Sequence, residues 1–202
     1  MKAKRFDTRK MVLLAMLSGI LLVMSFTPLG YLNIGPLAIT LNIIPVAIGA
    51  VALGPGGGAF LGAVFGITSI LQCVGIGGTS ALGVALFEIN PLLTMIQRFV
   101  PRLLAGWLTG MIYGGLHKLN FKYAPYVAGF CAALLNTVLF MTALVLLFGN
   151  TEKLQTMIAG RNILVFVISF VGVNALVEML VSTVAAGAVC RALEKLKLIG
   201  GK

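Results

Sequence analysis

Three charged side chains interrupt otherwise apolar runs: Arg98, Arg102 and Glu178. A charge at membrane depth costs roughly 2.5–3.5 kcal/mol or more, so it usually meets a partner or a ligand. Arg98 and Arg102 stand four residues apart, which places them on one face of a helix. Each guanidinium is a planar fork matched to a carboxylate, and two of them make an anion receptor. The structural alternatives are snorkelling to outer headgroups or an internal ion pair with Glu178. Asn174 precedes Glu178 by the same four residues, and Asn136 with Thr137 breaks another apolar stretch. A carboxamide both donates and accepts, which suits an amide or hydroxyl on a ligand and equally an interhelical hydrogen bond. The candidate ligand-binding residues are therefore Arg98, Arg102, Asn136, Asn174 and Glu178.

Reaction chemistry has no foothold beside them. The chain has one histidine, His117, and no HExxH, GxSxG or Cys/His arrangement within reach by spacing. The expectation is a protein that is not an enzyme, with no catalytic residues, no metal and no cofactor. No GxxxxGK[ST] loop occurs, so any ATP-driven step belongs to another subunit. Cys73, Cys131 and Cys190 are scattered and odd in number, which indicates neither a disulfide frame nor a zinc site.

The elements that must position these residues are membrane helices. Hydrophobic residues make up 59% of the 202, charged residues only 10%, and the mean hydropathy is +1.07. A soluble domain of this size would expose much of that apolar surface to water. Six spans fit, near 8–26, 38–53, 59–72, 92–116, 123–148 and 163–196, giving one all-α integral membrane domain over residues 1–202. GPGGG at 54–58 reads as a tight break, and 73–91 as a long Gly-rich connection. The basic start and following apolar run imitate a signal peptide. No small-x-small cleavage site precedes TPLG, so the run is expected to stay as the first helix.

The net charge of +10 does not point to nucleic acid, because 11 of the 15 basic residues cluster at segment ends. Lys2, Lys4, Arg5, Arg9 and Lys10 precede the first span, Lys118 and Lys122 share one turn, and Arg191, Lys195, Lys197 and Lys202 close the chain. By the positive-inside rule both termini are cytosolic, with GPGGG on the same side. The longer connections, 27–37, 73–91 and 149–162, then face outward, where a ligand lid would sit. Only Lys153 and Arg161 are basic there. Small residues four apart recur: Ala15 and Gly19, Gly62 and Gly66, and Gly106, Gly110 and Gly114. Such spacing lets backbones approach in lipid, either within the bundle or against another membrane subunit.

The stretch IGPLAITLNIIPVAIGAVALGPGGGAFLGAVFGITS at 34–69 resembles the substrate-binding S components of energy-coupling factor (ECF) vitamin transporters. FVPRLLAGWLTG at 99–110 and LLNTVLF at 134–140 are similar to the same family. Among S components the chain most resembles the pantothenate group, through the Pro-Arg of the fourth span and the Asn-Thr of the fifth. The resemblance implies a six-helix subunit in a bacterial cell membrane that captures a small vitamin at its extracellular face. It implies as partners a transmembrane coupling subunit and two cytosolic ATPases. It also implies a docking face of small residues on the first helix, here Ala15 and Gly19, where the family's Ala-x-x-x-Ala becomes Ala-x-x-x-Gly. Arg98, Arg102 and Asn136 carry over as ligand residues, with 73–91 closing over the site. The competing reading is a stand-alone proton-coupled carrier of a small organic anion, with Glu178 as the proton site.

Overall fold

The computed structural model describes residues 8–33, 38–77, 80–151, 155 and 163–195. Among them the chain is helical apart from one small hairpin. Helix α1 spans Thr8–Ser25 and is followed by a 3-10 turn at Pro28–Gly30. Strands β1 (Tyr31–Asn33) and β2 (Ala38–Thr40) pair antiparallel, with Tyr31 opposite Thr40. Then come α2 (Ile43–Cys73), α3 (Ala81–Ile89), α4 (Pro91–Lys118), α5 (Ala124–Phe148) and α6 (Ile163–Lys195). The expected second span therefore starts at Ile43 rather than 38, because 38–40 is taken up by strand pairing. The connection 73–91 holds a nine-residue helix, α3.

Among the described residues, four stretches are long and apolar enough to cross a membrane: Thr8–Ser25, Ile43–Cys73, Ala124–Phe148 and Asn174–Lys195. The chain is a multi-pass membrane protein. Helix α4 has comparable length, 28 residues, but carries the arginine pair. Lys2, Lys4, Arg5, Lys153, Arg161, Lys197 and Lys202, on which the expected orientation leans, lie outside the described residues.

Helix α2 is two arms folded back on each other. Gly54 has φ 78° and ψ −168°, a conformation that suits glycine, and Pro55 follows. A Cβ on Gly49 would come 2.1 Å from Leu61 Cδ1. Twelve residues along a straight helix span about 18 Å, so that contact requires the chain to reverse at GPGGG. The second arm then meets α4 through glycine. A Cβ on Gly58 would fall 2.2 Å from the Gly106 carbonyl oxygen, and one on Gly62 2.3 Å from that of Arg102. Gly110 meets Pro55, and Gly66 meets Phe99. These stripes are thus internal packing, where small residues replace the hydrophobic drive that lipid cannot supply. A Cβ on Gly114 or Gly19, by contrast, would meet nothing within 4 Å from other elements among the described residues.

A polar layer ties α1 to α2. Gln72 Nε2 donates to the Ser25 carbonyl at 2.7 Å, and Ser25 Oγ to Thr68 Oγ1 at 3.1 Å. Helices α5 and α6 approach closely at Gly129, whose carbonyl accepts from Ser182 Oγ at 2.9 Å. The main core gathers Leu17, Leu21, Ile43, Val46, Leu61, Phe65, Ala128, Ala132 and Ala186 from α1, α2, α5 and α6. Around that core α4 presents one face to the α2 glycines and an adjoining face to the candidate site.

Candidate ligand-binding site

Asn90 fixes the start of α4. Its Oδ1 accepts from the Leu93 N–H at 3.1 Å, and Pro91 takes the first helical position, where a missing N–H costs nothing. About two turns on, Arg98 and Arg102 are both buried, at 5% and 4% exposure. The expected shared face is observed, but the two guanidinium groups sit in different surroundings.

Arg98 reaches toward hydroxyls. Nη1 donates to Ser69 Oγ of α2 at 3.3 Å, and Nη2 to Ser80 Oγ at 3.2 Å. Ser80 is the N-cap of α3 and accepts from the Gly83 N–H. Arg98 therefore ties the short helix inside 73–91 to the bundle. Arg102 lies between aromatic faces, with its Cζ 4.5 Å from the Phe65 ring centre and 5.1 Å from that of Phe140. Its Nη1 also donates to the Arg98 carbonyl at 2.7 Å. Phe140 faces both cations, standing 5.3 Å from Arg98 Cζ. Ring quadrupoles favour a cation at such distances and do so without occupying its N–H donors.

Glu178 of α6 is buried within electrostatic reach of Arg102. Its Oε1 accepts from both the backbone N–H and the hydroxyl of Thr40, at the end of β2. The carboxylate thus anchors the β1–β2 hairpin to α6. Asn174, half-buried, precedes it by one turn. Asn136 lies one turn before Phe140 on α5, so the two share a helix face. It is 6% exposed, and among the described residues its Oδ1 has no hydrogen-bond partner. Ala15 and Gly19 stand apart from all of these, exposed on α1.

Two carboxamides escaped the sequence reading. Gln97 and Asn42 are each 0% exposed, and both polar atoms of each side chain lack a partner among the described residues. Asn42 occupies the N-cap position of α2 yet makes no capping bond. Their signal in the sequence was polarity beside a stronger feature: Gln97 is masked by Arg98, and Asn42 by the following Ile-Ile-Pro. Among the described residues no three His, Cys, Asp or Glu side chains converge as metal ligands would.

Two buried arginines thus lie against the Phe65 and Phe140 rings, and the buried Gln97 of the same helix, α4, and Asn136 of α5 hold carboxamide atoms without a partner among the described residues. Such a place suits a small anion that also carries neutral polar groups. Residues 9–189 match the model of the family described as "ECF transporter, substrate-specific component". The "Pantothenate transporter PanT" of Leuconostoc mesenteroides is 29% identical over 191 residues, covering 90% of each chain. The "Pantothenic acid transporter PanT" of Lactococcus lactis is 27% identical over 203 residues, covering 95% of this chain and 97% of the relative. The chain belongs to the family of ECF transporter substrate-specific components, a family of transporter subunits rather than an enzyme class.

Proposed function

We propose that this S component captures pantothenate at the extracellular face of a bacterial cell membrane and delivers it through an ATPase-driven coupling module. The observation that carries the ligand class is the Arg98–Arg102 pair, buried on one helix face and backed by Phe65 and Phe140. Burial raises the cost of two like charges, and a ligand carboxylate relieves it. Arg102 holds the carboxylate, flanked by the Phe65 and Phe140 rings. Arg98 completes the cationic field and positions α3 through Ser80. Asn136, with Asn174, bonds to the hydroxyl and amide groups of the vitamin. Glu178 acts on the hairpin through Thr40 and balances Arg102 in the empty site. The pantothenate assignment itself is supported by the two relatives, which match nearly end to end.

Delivery requires partners. A transmembrane coupling subunit docks on the exposed face of α1 around Ala15 and Gly19, where among the described residues nothing comes within 4 Å of a Cβ on Gly19. Two cytosolic ATPases supply the energy.

The test is thermal stability of the purified chain across a vitamin panel. A ligand that binds only the native state raises apparent stability in proportion to RT ln(1 + [L]/Kd). Pantothenate should stabilise in a concentration-dependent way. Stabilisation by another vitamin and not by pantothenate would move the substrate, and stabilisation by none would overturn the capture function. Docking is tested separately by Gly19→Leu, which should abolish co-purification with the coupling subunit and leave vitamin binding unchanged. An intact complex from that variant would remove α1 from the interface.

A further inference from the structure

We infer that Gln97 is a specificity-determining residue of the site, reading a neutral amide of the substrate by paired hydrogen bonds beside the carboxylate held by the arginines. The inference rests on the substrate reading above and names a side chain which that reading does not use.

Gln97 concentrates unmet bonding capacity in one place. Its side chain is fully buried, and neither Nε2 nor Oε1 has a partner among the described residues. Its backbone carbonyl is affected too. In a helix that carbonyl accepts from the N–H four residues on, and residue 101 is proline, which has none. Buried polar groups in folded proteins are nearly always bonded, and in a membrane bundle they have no bulk water to turn to. A methionine or leucine would fill the same volume without that cost. The glutamine is therefore costly in the empty protein and accounted for by a group that arrives.

Placement narrows what arrives. Gln97 directly precedes Arg98, so its Cα lies about 1.5 Å along the helix axis and about 100° around it. It stands at the depth of the arginine pair, on another flank of α4. Its carboxamide offers one donor edge and one acceptor edge in a plane. A secondary amide presents the complement, with its C=O facing Nε2 and its N–H facing Oε1. A second carboxylate would satisfy only the donor edge, and an apolar chain would satisfy neither.

The experiment measures the affinity of pantothenate, and of its ester isostere in which the amide N–H is replaced by oxygen, for wild type and Gln97→Met. Wild type should bind the ester about tenfold more weakly, because Oε1 is left buried without its donor. Gln97→Met should bind pantothenate about tenfold more weakly and should not distinguish it from the ester. Gln97→Asn keeps the polarity and withdraws the carboxamide by one methylene. It should show the same loss of discrimination, and it serves if the methionine variant does not fold. Equal discrimination by wild type and either folded variant overturns the role of Gln97 while leaving pantothenate capture standing. Failure of wild type to bind pantothenate at all overturns both.

Discussion

Helix α4 carries polar groups at both ends, and the two ends treat them differently. Near its C-terminus Tyr113 donates to Glu194 Oε1 at 2.9 Å, and the other oxygen of Glu194 lies 3.9 Å from Arg191 Nη1. Arg191 donates in turn to the Lys122 carbonyl at 2.8 Å, and the Tyr113 ring stacks on His117. Donors and acceptors close on one another and join α4, the α4–α5 turn and α6. Near Arg98 the count does not close. The cations are cushioned by rings and hydroxyls, while Gln97 and Asn136 keep polar atoms without partners among the described residues. A polar cluster built for structure satisfies itself, and one built for a ligand leaves capacity over. Between the two lies the glycine seam of Gly106 and Gly110, where α4 has no side chain at all and its backbone meets α2.

That seam should give the largest effect when disturbed. Gly106→Leu places its Cβ 2.1 Å from the Gly58 carbonyl oxygen, and backbone cannot move aside as a flexible side chain can. Overpacking typically costs about 1–3 kcal/mol and occasionally more, and here the upper end or beyond is expected. The measurement is thermal unfolding in detergent. Gly114→Leu is the control, since among the described residues no other element lies within 4 Å of a Cβ there, and it should be near neutral. Equal losses from both would mean that the seam is not the organising contact between α2 and α4.

Much of this was legible in the sequence, and the omissions share a cause. Gly54 and Pro55 announced the reversal because only a few residue types tolerate that backbone. Four-residue spacing announced both the glycine seam and the shared face of Arg98 and Arg102, since those are properties of one helix. What could not be read were partners distant in the chain. Thr40 and Glu178 are separated by 138 residues, and Tyr113 and Glu194 by 81. Nothing local marks either pair. The hairpin was missed because Ala38-Ile39-Thr40 continues the hydropathy of the helix that follows. Gln97 was missed because a neutral carboxamide beside two arginines carries no signal of its own until its burial, and its want of a partner among the described residues, are known.

The second effect concerns the open end of the comparison. Arg102→Ala should weaken pantothenate binding by about 1.5–3 kcal/mol, the range for a hydrogen bond to a charged group, or roughly 10–150-fold. Arg102→Lys should restore part of it, because an ammonium lacks the planar fork. A carboxamide analogue of the vitamin should lose affinity on wild type and little further on the alanine variant. That non-additivity separates the carboxylate–arginine pair from general damage. Arg98→Ala should instead loosen α3, whose N-cap Ser80 it holds, with a smaller effect on the same analogue. If the non-additivity appears at Arg98 and not at Arg102, the site stands and the roles are exchanged. If it appears at neither, both arginines are structural, and the two ends of α4 do not differ in kind.

The smallest effect belongs to the closed end. Tyr113→Phe removes one hydroxyl and leaves Glu194 near Arg191. A typical hydrogen bond contributes about 0.5–1.5 kcal/mol net, so a loss of stability of about 1 kcal/mol is expected. Pantothenate affinity should not change. Tyr113 lies eleven residues beyond Arg102, about 16 Å along the helix, with the glycine seam between them. The ring stacked on His117 is retained in the variant, which confines the change to the bond with Glu194. Calorimetric or detergent-based unfolding gives the first quantity, and ligand titration gives the second. An unchanged affinity alongside reduced stability is the signature of a cluster that serves the fold alone. A drop in affinity of tenfold or more would show that the far end of α4 is coupled to the arginine pair. The contrast between a self-satisfied end and an open one would then be replaced by a single polar system running the length of the helix.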